Sequence, residues 1–370
     1  MNIKSLLLGS AAALVAVSGA RAADAVVVAE PEPVEYVRVC DTYGAGFFYI
    51  PGTETCLKIS GYVRYDAIAG DDPYSGEELD TWAKQARATL RFDARSETEL
   101  GTLRSFIEAR FDHKAYGGRG DRTFINADGE LETIVDEGSY YGNGGYISHA
   151  YIELGGFRVG VSDSQYDTWT GSAGNVISDD VIAYAGGRTN QISYTFAGGN
   201  GFSAMVGLEQ GDDDHLIEDY MPHVVAGVKF EQAWGGISAV AAYDSVVEEF
   251  AGKVRLDVKF TDTVSAFVMG GYQSNEDDLD VVSEGGNYYG SWNGDYAIWG
   301  GLSAKVSEKA TVNAQVAYEE AGTFAAALNV NYEIVPGFVI TPEVNYASFD
   351  ESRGSGDDAF TGIVRFQRNF

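Results

Sequence analysis

From Cys56 to the C-terminus, apolar and polar positions alternate with period 2 in segments of about ten residues, the pattern of strands with one buried face. In the first, Leu57, Ile59, Gly61, Val63 and Tyr65 form one row, and Lys58, Ser60, Tyr62, Arg64 and Asp66 the other. In the second, Ala86, Ala88, Leu90, Phe92 and Ala94 oppose Arg87, Thr89, Arg91, Asp93 and Arg95. In the third, Leu103, Ile107 and Phe111 oppose Arg104, Glu108, Arg110 and Asp112. Later segments repeat the scheme, among them Val254–Phe260, Val312–Tyr318 and Phe324–Tyr332. About sixteen such segments follow one another, the last ending at Phe370.

A soluble sandwich alternates in the same way, so the connections must discriminate. One kind is short and barely charged, such as Gly155-Gly156, Ala233-Trp234-Gly235 and Pro336-Gly337. The other kind, met in turn with it, is mostly long and acidic. Asp71, Asp72, Glu77, Glu78 and Asp80 fill one; Asp212, Asp213, Asp214, Glu218 and Asp219 a second. Glu276, Asp277, Asp278, Asp280 and Glu284 fill a third, and Asp350, Glu351, Asp357 and Asp358 a fourth. Short turns on one rim and long loops on the other characterise membrane barrels. Aromatics agree: Phe196, Phe202, Phe230, Phe260, Tyr332 and Phe338 stand near short turns. Tyr65, Tyr243, Tyr272, Tyr296, Tyr318 and Tyr346 stand at the opposite strand ends. Two aromatic belts match the two membrane interfaces, whereas a sandwich would place its aromatics mid-strand. The expected fold is an all-β, 16-stranded antiparallel transmembrane barrel with short periplasmic turns and long extracellular loops.

Composition supports this reading. The 370 residues include 46 Gly but only 7 Pro and 4 Met, unlike a helical enzyme. Mean hydropathy is -0.14, which excludes a bundle of membrane helices but not a barrel whose alternate residues face water. Lys4, the apolar run Leu6–Val17 and Ala20-Arg21-Ala22 read as a signal peptide over residues 1–22, the run being too short for a membrane anchor. Residues 23–55 are expected to form a periplasmic N-terminal segment, and 56–370 the barrel. Loss of Lys4 and Arg21 would take the net charge from -30 to -32. A nucleic-acid partner is excluded, since that needs a basic face. Export favours a disulfide between Cys40 and Cys56 over free thiols or a metal site, two thiols without a nearby His being an incomplete zinc set.

Catalytic chemistry finds little support. Of His113, His149, His215 and His223, only His149, beside Ser148, lies on an expected strand away from loops and strand ends; adjacent strand residues point to opposite faces and cannot make a nucleophile and base. Asp212-Asp213-Asp214 reads as a solvated acidic loop without EF-hand spacing. No phosphate loop, zinc motif or cofactor motif is present. The alternative to a channel is a structural or adhesive barrel without conductance.

Four stretches carry a resemblance to a known family: VCDTYGAGFFYIPGTETCLKISGYVRYD ending at Asp66, SETELGTLRSFIEARF from Ser96, AYIELGGFRVGVSDS from Ala150, and the terminal VRFQRNF. The chain resembles the alphaproteobacterial general porin family, the Brucella and rhizobial outer-membrane porins, over essentially its whole length. One departure is Arg368, on the row of Phe366 and Phe370 where an apolar residue is more usual. The resemblance implies a homotrimer in outer-membrane lipid and lipopolysaccharide, conducting small hydrophilic solutes and ions. It also implies a terminal aromatic, Phe370, read by the barrel-assembly machinery, and a third loop folded into the pore. By parity, Lys58, Arg64, Arg87, Arg91, Arg104, Arg110 and Arg158 lie on polar rows and are expected to form a basic lumen wall. The third connection, near 163–185, carries Asp163, Asp167, Asp179 and Asp180, expected to face that wall and set a transverse field. The alternative is that the arginines only pair with carboxylates on adjacent strands. With the acidic mouth, the expected selectivity is a mild cation preference.

Overall fold

In the computed structural model the described residues are 38–79, 81–117, 120–125, 131–136, 139–184, 186–213, 215–217, 219–274, 286–349 and 358–370. The expected signal peptide, Asp80, Asp214, Glu218 and the acids of 276–284 and 350–357 lie outside them. The chain divides into Met1–Arg38 and Val39–Phe370, and the second unit is the one described.

Period-2 alternation becomes sixteen barrel strands. They are β1 Cys56–Gly70, β2 Ala83–Thr98, β3 Gly101–Gly117, β4 Ser139–Leu154, β5 Phe157–Asp163, β6 Arg188–Ala197, β7 Phe202–Glu209 and β8 His223–Gln232. There follow β9 Gly235–Asp244, β10 Glu249–Lys259, β11 Val264–Gln273, β12 Tyr296–Lys305, β13 Ala310–Glu319, β14 Phe324–Val335, β15 Phe338–Ser348 and β16 Ala359–Asn369. Each pairs antiparallel with its sequence neighbours, and β16 closes on β1 from Thr361↔Gly70 to Asn369↔Tyr62. Closure leaves no open edge, the condition for a sheet to cross hydrocarbon. Between β3 and β4 a separate hairpin pairs Gly120–Ile125 with Leu131–Asp136.

Outward rows are apolar and bare: Val254 is 53% and Val344 60% exposed, as suits a surface that faces lipid. Tyr272 pairs with Tyr296 and Tyr318 with Phe324 at the long-loop ends, while Phe202 pairs with Phe230 near a short turn. The turn at Pro336-Gly337 needs its glycine, whose φ is 79°, a left-handed conformation costly for other residues.

The buried apolar residues lie inside the barrel. Val225, Val240, Met269 and Trp299 occupy the inward rows of β8, β9, β11 and β12, and all are at most 4% exposed. They pack against Tyr166, Trp169, Val181 and Ile182 from the β5–β6 connection. The inward rows of β1–β5 are instead charged. One half of the inner wall is therefore built to be covered, the other to be wet.

At the β1 end, Phe48–Tyr49 pairs with Leu57 and Cys56, beyond the point where Phe370 exchanges both backbone hydrogen bonds with Gly61 (3.0 Å each). Cys40 and Cys56 form the expected disulfide across a separation of 16 residues and are buried with Phe47. Loop-closure entropy makes such a crosslink worth about 3 kcal/mol. A Cys40→Ser variant should therefore unfold at a lower urea midpoint. An unchanged midpoint would mean that strand pairing holds the segment without the crosslink.

Candidate functional site

The strand register decides what the basic rows do. Arg87 lies opposite Asp112, and Arg91 opposite Glu108; facing opposite charges at this spacing attract. Arg87 grips Asp112 with two hydrogen bonds of 2.6 and 2.9 Å. Glu108 receives Arg91 at 2.5 Å on one oxygen and Arg110 at 2.7 Å on the other. Asp93 accepts from Arg95 and from Arg104, whose third nitrogen reaches Glu153 at 2.8 Å. Glu153 also receives Arg158 at 2.6 Å, and Asp66 receives Arg365 at 2.8 Å. The bonds fall into four groups, Arg87–Asp112, Arg91 and Arg110 on Glu108, Arg95, Arg104 and Arg158 on Asp93 and Glu153, and Arg365–Asp66, together a ladder of charge-assisted bonds that crosses from strand to strand.

Two of the expected basic residues stand outside this ladder. Arg64 donates to Tyr62 Oη at 2.8 Å, and Lys58 lies 5.8 Å from the centre of the Phe47 ring. Neither has an ion pair among the described residues.

The β5–β6 connection turns inward at once. Ser164 caps the short helix α1, Gln165–Thr170, accepting from the Tyr166 amide, and its own amide donates to Gly187 O at 2.8 Å. Glu209 then accepts from Ser164 Oγ and the Gln165 amide, each at 2.7 Å. Trp169 docks on Gly227, where an added Cβ would come within 2.6 Å of the indole. Beyond the helix, the segment is pinned along β10 to β15. Lys253 donates to Tyr184 O, Trp299 to Ile182 O (3.0 Å) and Gln315 to Asp179 O (2.8 Å). Asn329 donates to Asn175 O at 3.0 Å, and Glu343 accepts from the Ile177 and Ser178 amides.

The four expected loop carboxylates play local parts. Asp163 ends β5, 3.9 Å from His149 Nε2. Asp167 accepts from the Gly186 and Gly187 amides, Asp179 from Tyr184 Oη, and Asp180 from Tyr74 Oη. Among the described residues none of the four bonds to the arginines of β1–β5.

A second inserted segment carries no period-2 signal and was not anticipated. Tyr288 donates its amide to Asp244 at 2.9 Å, and Tyr289 its hydroxyl to Glu209 at 3.0 Å. Trp292 sits on Gly271, where a Cβ would come within 2.7 Å. Tyr289 also packs on Tyr166 of α1 at 5.2 Å, so the two segments brace each other through Glu209. The clue in the sequence was Tyr288-Tyr289-Gly290-Ser291-Trp292, an aromatic run after an acidic loop.

Burial pushes the Asp179 carboxyl up to about 7, with Asp180 and Glu343 adding to the rise and the Tyr184 hydrogen bond opposing it. Burial also raises Asp167, against the attraction of Lys253. An acid held above its unfolded value of about 3.9 binds its proton more tightly in the docked state. Docking is then strongest at acid pH, weakens as pH climbs from about 4 through about 7, and changes little above that. Amide exchange in residues 171–184, corrected for intrinsic rates, should show protection falling between pH 5 and pH 8. Asp179→Asn should flatten that slope, and pH-independent protection in the unaltered protein would contradict it.

The porin subfamily profile matches residues 24–367. Porin Omp2a of Brucella melitensis biotype 1 is 52% identical over 377 residues, covering 100% of both chains. Porin Omp2b of Brucella suis biovar 1 is 51% identical over 382 residues, again covering 100% of both. Among solved structures, the outer membrane channel DcaP of Acinetobacter baumannii aligns with a TM-score of 0.62 at 17% identity, over 87% of this chain and 99% of that one. An anion-selective porin from Comamonas acidovorans aligns with a TM-score of 0.52 at 14% identity, over 86% and 100%. At these identities the structural likeness speaks to the fold alone.

Proposed function

The chain belongs to the porin subfamily, and we propose that its neck lies between the arginine–carboxylate ladder of β1–β5 and the inserted segment 164–187. The protein is a porin, a water-filled β-barrel channel for small hydrophilic solutes in the outer membrane of a Gram-negative bacterium. The observation that carries the neck is the anchoring of the segment's backbone on β10 to β15, with the Tyr74 hydroxyl of the β1–β2 connection meeting only the Asp180 side chain. That backbone is tied to Lys253, Trp299, Gln315, Asn329 and Glu343, leaving the charged rows of β1–β5 as the wetted wall. The task of this chain is passage rather than reaction.

In this reading Arg87, Arg91, Arg104, Arg110 and Arg158 are largely neutralised by their own wall, with Arg64 and Lys58 adding local positive charge. The ladder orients water and dipolar solutes without strongly favouring anions. Acid at the mouth then sets the sign, and the channel prefers cations mildly. A planar-bilayer recording with a salt gradient tests pore and sign together. Expected are large ohmic steps and a reversal potential on the cation side. Silence would favour a structural barrel, and a clear anion potential would overturn the selectivity.

The assembly we propose is a homotrimer seated in lipid and lipopolysaccharide, with residues 23–55 on the periplasmic side. Phe370 serves as the assembly signal: its side chain is exposed while its backbone is paired with Gly61, which leaves the ring available to the barrel-assembly machinery.

A further inference from the structure

A cavity of about 440 Å³ opens between the end of α1 and the inward rows of β8–β10, across the lumen from the arginine ladder. Lys229, Ser238 and Arg255 are successive cross-strand partners on one row, and Lys259 lies on the same strand as Arg255 toward its end. Thr170 and Ser172 of the inserted segment cover them.

The charges here are arranged differently from those on β1–β5. Arg255 is committed: it grips Asp257 at 2.9 Å, donates to Ser172 O at 2.5 Å and stacks 3.9 Å from the Phe267 ring centre. Lys229 is held over the Trp169 ring at 5.0 Å. Among the described residues neither Lys229 nor Lys259 has a carboxylate within ion-pair distance, and Glu231, the remaining carboxylate of the lining, has no cation. With Arg255 offset by Asp257, positive charge is in excess. Thr170 is 4% exposed, and its hydroxyl is buried without a hydrogen-bond partner, an uncommon state that a ligand oxygen would relieve. On the ladder an incoming anion must compete with carboxylates already in place. Here it displaces none.

We propose that this ledge binds a small dicarboxylate solute on its way through the channel. Lys229 and Lys259 take the two carboxylates, and Thr170 donates its hydroxyl to one of them. The volume lies within the range of small-ligand sites and is far larger than a simple ion requires. Access to the ledge rests on the channel reading, so binding and conduction are measured separately.

The test is calorimetric titration of the solubilised full-length protein with malonate, beside bilayer recordings of the same preparation. Saturable binding is expected, weakened roughly tenfold or more, about 1.4 kcal/mol, in the Lys229→Ala, Lys259→Ala double variant. Thr170→Val, which removes only the hydroxyl, should weaken it severalfold. Absence of saturable binding, or a double variant that binds like the unaltered protein, overturns the site. Inorganic phosphate should bind more weakly; phosphate as tight as malonate overturns the dicarboxylate assignment. A conducting channel that binds no malonate discards the ledge and keeps the channel. A silent barrel whose malonate binding depends on Lys229 and Lys259 does the reverse.

Discussion

Replacing residues 165–186 with a two-residue Asn-Gly link should raise single-channel conductance about twofold or more, since an unobstructed barrel of this size encloses an aqueous channel. The excision is unusually clean in geometry. Asp163 and Arg188 are already cross-strand partners, and the Ser164 amide bonds to Gly187 O at 2.8 Å. A tight hairpin can therefore close β5 onto β6 without moving either strand. The shortened barrel exposes Val225, Val240 and Trp299 to water, which destabilises it, but the closed ladder of backbone pairs remains. Conductance equal to that of the intact protein would mean that segment 164–187 is not the narrowing element, leaving Tyr288–Trp292 to fill that role.

The second large effect is expected at Glu108. Its side chain is 3% exposed, and among the described residues it alone offers a carboxylate to both Arg91 and Arg110. Glu108→Gln keeps shape and removes the charge, leaving two guanidinium groups without an ionic partner on a wetted wall. A unit charge about 4 Å from a passing ion is worth about 1 kcal/mol even at the dielectric of bulk water. The cation-to-anion permeability ratio should thus fall about fivefold, read as a shift of the reversal potential toward the anion side. Because the arginines can hydrate, the barrel should still insert and conduct. An unmoved reversal potential would place the ion path away from β1–β5 and overturn the neck.

The position of Glu108 also shows where reading the chain residue by residue stops. Glu108 and Arg110 share a row in the sequence, as do Asp93 and Arg95, so their common face was legible from period 2. Which carboxylate meets which arginine depends on register, and a one-residue slip would have inverted every face. Register is settled by turns and closure, from Glu99-Leu100 between β2 and β3 to the β16–β1 seam. The third connection could be placed by counting strands, but its acids suggested that it would answer the arginines directly. Asp167 and Asp179 instead bind groups of their own segment.

Strands, their lipid and water faces, the two kinds of connection and the Cys40–Cys56 pair were all written locally. Alternation repeats every two residues, and lipid demands an apolar row wherever a strand crosses it. The inner wall follows no such local rule. Val225, Met269 and Trp299 sit at inward positions because α1, Ile182 and Trp292 come back to cover them, and Gly227 and Gly271 are bare because indoles lie against them. These contacts join residues tens of positions apart, so each side chain makes sense only beside a partner that chain closure brings to it. The barrel belongs to the pattern; the shape of its passage belongs to the packing.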